Sequence, residues 1–308
     1  FGVLLPEIRL TDNAALAPGQ YVVKVLGVEQ VRDSLRPEKM LALLSGPAAP
    51  PVLGEDVSEP VYGAPARWIA PEDQETAALS GLTTVSPTEV LATHLLEIIK
   101  RNFPRLMTLK ALRRLLDEMT NLSDAARSEA NRKMLGELMP DKVPVDVLLS
   151  VLRLLLEERV SIRNLPLIIE AAAEGRQIYP SAEGIAEHVR QRLGFQLVAE
   201  MRRADGTIPL VQLAPEWEDT FATYQIKSEK GVGDVALPPE DFNRLATAIA
   251  EKIAQAGETG AYPAMVTSMR RRRFLRTVMT AKGIPNPVLS FEEIGVDARP
   301  ALVGLVPA

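Results

Sequence analysis

Six prolines crowd the stretch from 47 to 71: Pro47, Pro50, Pro51, Pro60, Pro65 and Pro71. Each lacks a backbone N–H, and inside a helix each would clash with the carbonyl four residues upstream. No long helix runs through this stretch. Yet Val61, Tyr62, Trp68 and Ile69 also lie in it, too much apolar mass for a bare linker. A small β-rich insertion satisfies both facts.

The flanks read differently. Tyr21–Val28 is short and β-branched and predicts a strand, with turn signals at Thr11-Asp12-Asn13 and Ala17-Pro18-Gly19 before it. After the insertion, Ser86-Pro87-Thr88-Glu89 is a helix start: Ser86 at the N-cap, Pro87 at the first helical position and Glu89 closing a capping box. That helix should run through Leu95 and Ile99 to about Asn102. Thr108 caps a second, with Leu112 and Met119 on one face. Val145–Val160 reads as a third. A fourth starts at Asn164, with Pro166 in its first turn and Gly175 near its end, and Ile185, Val189, Leu193 and Leu197 trace a fifth. The last third changes character. A strand over 208–213 follows the turn Ala204-Asp205-Gly206, and a helix covers 242–256. Tyr262–Thr267, an arginine-rich helix and Pro287–Ser290 then alternate as strand, helix and strand. That spacing predicts a β-α-β unit with parallel pairing. The expected class is α+β, multi-subdomain and helix-rich, with a small β-rich insertion near the N-terminus and a C-terminal α/β part.

Composition limits the function. The chain has 308 residues, 46% apolar but only 5% aromatic, which favours helices packed by aliphatic side chains. It has no cysteine, so disulfides, thiolate zinc sites, iron–sulfur clusters and cysteine nucleophiles are excluded. Two histidines, His94 and His188, are too few for a His-rich metal site, and both read as structural or boundary residues. The longest apolar run, near Val147–Leu156, is too short and too polar to span a bilayer. The chain begins at Phe1 without an initiator Met, and the expectation is a fragment.

Catalytic motifs are missing. Gly231-Val232-Gly233-Asp234 lacks the preceding apolar strand and third glycine of a dinucleotide fingerprint, and reads as a plain loop. Neither G-x-S-x-G nor H-E-x-x-H occurs. Pairs such as Glu157-Glu158 and Glu292-Glu293 are what any chain with 40 acidic residues supplies. The reading is not an enzyme, with no cofactor.

Met269–Arg276 holds five arginines in eight residues. One alternative is a basic helix that binds nucleic acid. The net charge of −5 weighs against that, and a single-strand platform wants interleaved aromatics where only Phe274 is near. Successive helical residues step by about 100°, so adjacent arginines spread around the axis. With Phe274 and Val278 on the packed face, Arg271, Arg272 and Arg276 are expected on a wet, basic side, available to acidic neighbours.

Several blocks then accumulate in order: Leu10-Thr11-Asp12-Asn13; Pro18 to Val28; Arg67-Trp68-Ile69; Gly81-Leu82-Thr83-Thr84-Val85-Ser86-Pro87-Thr88-Glu89-Val90-Leu91-Ala92-Thr93-His94-Leu95; Arg159 to Leu165; and Pro287-Val288-Leu289-Ser290-Phe291-Glu292-Glu293-Ile294. This resembles the C-terminal cytoplasmic domain of the type III secretion export-gate family, across essentially the whole chain. The resemblance implies four subdomains: 1–37 with 86–106, the insertion 38–85, a helical 107–178 and an α/β 179–308. It implies docking of export chaperones loaded with late, filament-type substrates, which orders export. Glu59, Tyr62 and Thr93 would form the chaperone-binding dimple, with Val85 and Val90 beside them. Members often carry Asp and Phe where Glu59 and Tyr62 stand. The implied partners are those chaperones, the export ATPase complex with its stalk, and other copies in a nonameric ring. A membrane would be met only through an N-terminal domain outside this chain, at the cytoplasmic face of the bacterial inner membrane. The motifs are shared by the flagellar and injectisome branches, and the reading favours flagellar.

Overall fold

The computed structural model describes residues 1–44, 52–226, 235–258 and 260–308. Gly231-Val232-Gly233-Asp234 and three of the six prolines lie outside them. Two compact units emerge: Leu5–Leu106, and Met107–Ala308 together with Phe1–Leu4.

The first unit opens with β1 (Gln20–Val25) and β2 (Val28–Ser34), an antiparallel hairpin closed by the Val25–Val28 pair. The single strand expected over 21–28 is therefore broken. Leu26 and Gly27 both take positive φ, 51° and 82°, as a two-residue hairpin turn of this hand requires. A leucine is strained there by about 1 kcal/mol. Leu26→Asn should raise the unfolding free energy by about that amount, read from the urea midpoint.

Next come β3 (Met40–Leu43), β4 (Gly54–Ser58), β5 (Pro65–Ile69), α1 (Gln74–Leu79), β6 (Thr83–Val85), α2 (Pro87–Arg101) and α3 (Phe103–Leu106). The sheet order is β4-β5-β3-β6, antiparallel throughout, the small β-rich insertion expected near the N-terminus. The prolines fit by position. Pro65 opens β5, and Pro71 opens a 3₁₀ turn over Pro71–Asp73. Side chains alternate across the sheet. Leu41, Ala66 and Trp68 pack on one face with Val90 of α2, while Ala42, Val52, Ile69 and Ala77 pack on the other.

The second unit starts with helices: α4 (Leu109–Thr120), α5 (Ala125–Leu138), α6 (Val145–Glu157), α7 (Leu165–Ile178), α8 (Ala182–Arg192) and α9 (Gly194–Ala199). Thr108 caps α4 by accepting from the Ala111 N–H at 3.2 Å. Helix α6 ends earlier than Val160, because Arg159 takes a positive φ of 58°. Asn164 holds the N-cap position of α7 without a side-chain cap bond. Gly175 lies within α7, where a Cβ would stand 3.2 Å from His188, so its absence lets α8 pack close. His188 is a boundary residue, 3.2 Å from Glu174.

Then follow β7 (Thr207–Leu213), α10 (Glu216–Thr223), α11 (Pro239–Glu258), β8 (Ala264–Thr267), α12 (Met269–Ala281), β9 (Val288–Ser290) and β10 (Arg299–Val306). The order is β10-β7-β8-β9, all parallel. The expected β-α-β unit is β8-α12-β9. Both faces of the sheet are covered, as a parallel sheet demands. Trp217, Phe221, Leu275 and Val278 pack with Val211, Met265 and Val288 on one face, and Val198, Ile208 and Leu210 pack with Val266 and Leu289 on the other.

The expectation for α12 is overturned. Arg271 and Arg272 are buried, not wet. Arg272 donates from Nε to Glu187 at 2.6 Å and from a terminal nitrogen to Glu158 at 2.7 Å. Arg190 bonds Glu293 at 2.6 Å and lies 3.4 Å from Glu158. Arg271 bonds Glu218 at 3.1 Å and sits over the Phe221 ring. Arg276 donates to the carbonyls of Asn286 and Ile284, at 2.8 and 2.9 Å. The acidic partners expected on neighbouring molecules are supplied within the chain. Buried guanidinium groups are tolerable because each is paired with a carboxylate, although one buried terminal nitrogen of Arg271 has no hydrogen-bond partner.

Candidate docking surface on the first unit

The surface is built on α2. Its start is fixed locally: Glu89 N–H donates to the Ser86 hydroxyl at 3.3 Å, and the Glu89 carboxylate accepts from the Ser86 N–H at 2.7 Å. From there Val90, Thr93, Glu97 and Lys100 recur at spacings of three and four and share one face. Val90 is buried against Leu41 and Trp68, and Val85, at the end of β6, packs partly buried into the same cluster. Thr93 is exposed. Glu97 is only 7% exposed and accepts from Lys100 at 2.6 Å.

The turn after β4 supplies the rest. Glu59 is buried, and its carboxylate accepts from the Val61 and Tyr62 N–H groups at 2.9 and 2.7 Å. Its own N–H donates to Ala64 O at 2.7 Å, and its carbonyl accepts from Gly63 N–H at 2.9 Å. Gly63 takes the positive φ of 73° that this turn needs. The turn presents Tyr62, 68% exposed. Partial burial, then the charge of Glu97 and a hydrogen bond to it, raise the Tyr62 phenol above its ordinary pKa.

The five residues singled out in the sequence thus divide. Tyr62 and Thr93 are open to a partner. Glu59 and Val90 are buried, and Val85 is partly buried. Glu97 and Lys100 were not anticipated, since an acid and a base three apart on a helix usually read as a solvated pair.

His94 is buried next to this face and shares a 2.6 Å hydrogen bond between its Nδ1 and the Tyr21 hydroxyl, with the rings edge to face. Burial pushes the His94 pKa down, and the charges of Asp33 and Glu59 restore it only in part. A neutral imidazole accepting from Tyr21 suits that setting. The opposite face of α2, with Leu91, Leu95 and Ile98, lines a groove of about 520 Å³ together with Leu10, Leu26 and polar residues such as Glu7, Asp12 and Lys24. Among the described residues no group of acidic or histidine side chains could hold a metal ion, and no helix is long and apolar enough to cross a membrane.

Comparison with known proteins places the chain. The model of the FHIPEP family matches residues 1–299. The flagellar biosynthesis protein FlhA of Caulobacter vibrioides is 33% identical over 309 residues, covering 99% of this chain and 42% of that protein. The FlhA of Bacillus subtilis is 26% identical over 305 residues, covering 99% of this chain and 44% of that protein. The chain therefore spans less than half the length of these curated relatives. The structure of the Chlamydia pneumoniae CdsV protein is similar, with a TM-score of 0.77 and 20% identity, over 96% of this chain and 82% of that one. Nonameric EPEC SctV-C is similar with a TM-score of 0.76 and 17% identity, over 99% of this chain and 89% of that one. CdsV in its complex with CdsO gives 0.78 and 20%, over 99% and 86%. At such identities these structures establish the shared fold alone. The family match over nearly the whole chain, and the FlhA identity across it, carry the assignment: the chain belongs to the FHIPEP family, the export-gate family that its motifs resemble.

Proposed function

We propose that this chain is the cytoplasmic docking platform of a flagellar protein export gate. It receives chaperones loaded with late substrates and so orders their export. One observation carries the reading: an exposed aromatic, Tyr62, is held on a hydrogen-bonded turn, in a chain whose curated relatives are flagellar biosynthesis proteins. A helix of a chaperone or its substrate would bury aliphatic side chains against the Tyr62 ring and the Thr93 methyl group. Glu59, Val85 and Val90 would act by holding that surface in shape.

The same reading divides the chain into four subdomains, at 1–37 with 86–106, 38–85, 107–178 and 179–308. The nonameric assembly of SctV-C supports self-association into a ring, and the CdsV–CdsO complex supports a stalk-type partner leading to the export ATPase. Attachment to the cytoplasmic face of the inner membrane would come from sequence outside this chain. Nucleic-acid binding by α12 is disfavoured, because Arg271, Arg272 and Arg276 are already committed to acceptors within the chain.

The test is a calorimetric titration of this chain with a purified complex of a filament-type flagellar substrate and its chaperone. The parent should bind with a Kd on the order of micromolar. Tyr62→Ala and Thr93→Met should each weaken binding about tenfold to thirtyfold with unchanged thermal unfolding. Equal binding by parent and both variants, or no binding by the parent, would defeat the proposal.

A further inference from the structure

We infer that His94 makes the docking surface acid-sensitive: as a neutral imidazole it ties the β1–β2 hairpin to the helix that carries Thr93, and a proton on its ring undoes the tie. This rests on the docking reading above.

Val90, His94 and Ile98 follow one another at every fourth position of α2, and all three are buried. An imidazole therefore stands in the middle of the apolar stripe that seats this helix. A polar ring in such a place must be hydrogen-bonded. Its partner comes from another element. The Tyr21 hydroxyl of β1 lies 2.6 Å from Nδ1, with the two rings edge to face. That hydroxyl can donate to Nδ1 only while the nitrogen carries no proton.

A charge on this ring would have no direct partner. Among the described residues no carboxylate forms an ion pair with His94. His188 makes the contrast, since its Nε2 lies 3.2 Å from the Glu174 carboxylate and a counter-charge is within reach. The charged groups that act on His94 are Asp33 of β2, directly opposite Tyr21 in the hairpin register, Glu59 in the turn after β4, and Arg101 on α2. Burial is the largest effect and favours the neutral ring. Asp33 and Glu59 favour the charged one without overcoming it, and Arg101 opposes them.

In acid the ring gains a second N–H. Nδ1 turns from acceptor to donor, the Tyr21 hydroxyl must give up its bond and find another acceptor, and a charge is left where water is scarce. The relief is movement of the ring toward solvent. Thr93 and His94 are consecutive on one helix, so α2 cannot turn to expose His94 without turning Thr93 as well. Docking at Thr93 therefore needs the neutral ring. Binding linked to one proton in this way weakens about tenfold for each pH unit below the pKa of His94.

Calorimetry with the substrate–chaperone complex above, at about pH 7.5 and about pH 5, tests this. The lower pH stays above the range in which Glu158 titrates. The parent and His188→Gln should both bind on the order of tenfold more weakly in acid. His94→Asn keeps an oxygen acceptor near the place of Nδ1 but takes up no proton, so its two Kd values should agree within about twofold. A parent without acid weakening, or the same weakening in His94→Asn, would overturn the inference.

A second readout needs no partner. The chain has two histidines, so His188→Gln identifies the His94 ring signal in ¹H–¹³C spectra. Its midpoint should lie below the ordinary 6.5. Tyr21→Phe should raise it, because the neutral ring loses its donor. A midpoint that Tyr21→Phe leaves in place would show that no tie exists. A parent that binds the probe at neither pH defeats the docking reading, while the ring titration still decides the tie.

Discussion

Arg272→Ala is expected to cost this chain about 3–5 kcal/mol of unfolding free energy, the range for removing one member of a buried ion-pair cluster. Arg272 has no exposure at all, and its guanidinium bridges Glu158 and Glu187. Cutting it away leaves two carboxylates with little water to replace it. Arg190 remains 3.4 Å from Glu158 but is itself engaged with Glu293, so it cannot take over. The cost is therefore the penalty of orphaned charge, not the net worth of the pairing. A charge-free triple variant, Arg272→Leu with Glu158→Leu and Glu187→Leu, should recover most of the loss. Arg272→Lys should not, because an ammonium lacks the planar fork that serves two carboxylates at once. Urea denaturation of the three variants measures this. A loss below about 1 kcal/mol for Arg272→Ala would mean that the cluster is solvated and the burial argument fails.

Acid should weaken the same cluster through Glu158. Burial pushes the Glu158 pKa up, but the charges of Arg190 and Arg272 pull it further down, from an ordinary 4.5 to about 2. The folded value lies below the unfolded one. The stabilisation is therefore complete above about pH 4.5 and is lost as pH falls toward 2. A shift of that size corresponds to something on the order of 3 kcal/mol. Glu158→Gln keeps the shape and loses the charge. The parent should exceed it in stability by about that amount at pH 7, and the gap should close as pH falls toward 2. A gap that does not depend on pH would show that Glu158 contributes through packing alone.

The features legible in the sequence were those whose cause is local. Ser86 and Glu89 announce α2 because a capping box needs residues only three apart. The parallel pairing of β8 and β9 followed from the length of the segment between them, which only a crossover helix fills. The arginines were misread because their partners are distant: Glu187 and Glu158 lie 85 and 114 residues from Arg272. Nothing near α12 marks them, and an arginine-rich turn has the same periodicity whether its side chains meet water or carboxylates. The break at Leu26 was hidden for a different reason, since a leucine gives no hint of a left-handed backbone. At the docking surface, Tyr62 and Thr93 were reached through the family's motif.

The final strand carries a consequence for how the second unit is made. Strand β7 lies inside the sheet, flanked by β8 on one edge and β10 on the other. Its partner β10 is encoded 86 residues after β7 ends, judged from Leu213 and Arg299, and Trp217 waits for the Pro307 carbonyl, its acceptor at 2.9 Å. On the ribosome, β7 is displayed with an open apolar edge until residues 299–307 emerge. The helices and the first two sheets can close as they appear, but this sheet is completed only after β10 has been translated. Until residues 299–306 emerge, that edge of β7 is open to pairing with a neighbouring nascent chain.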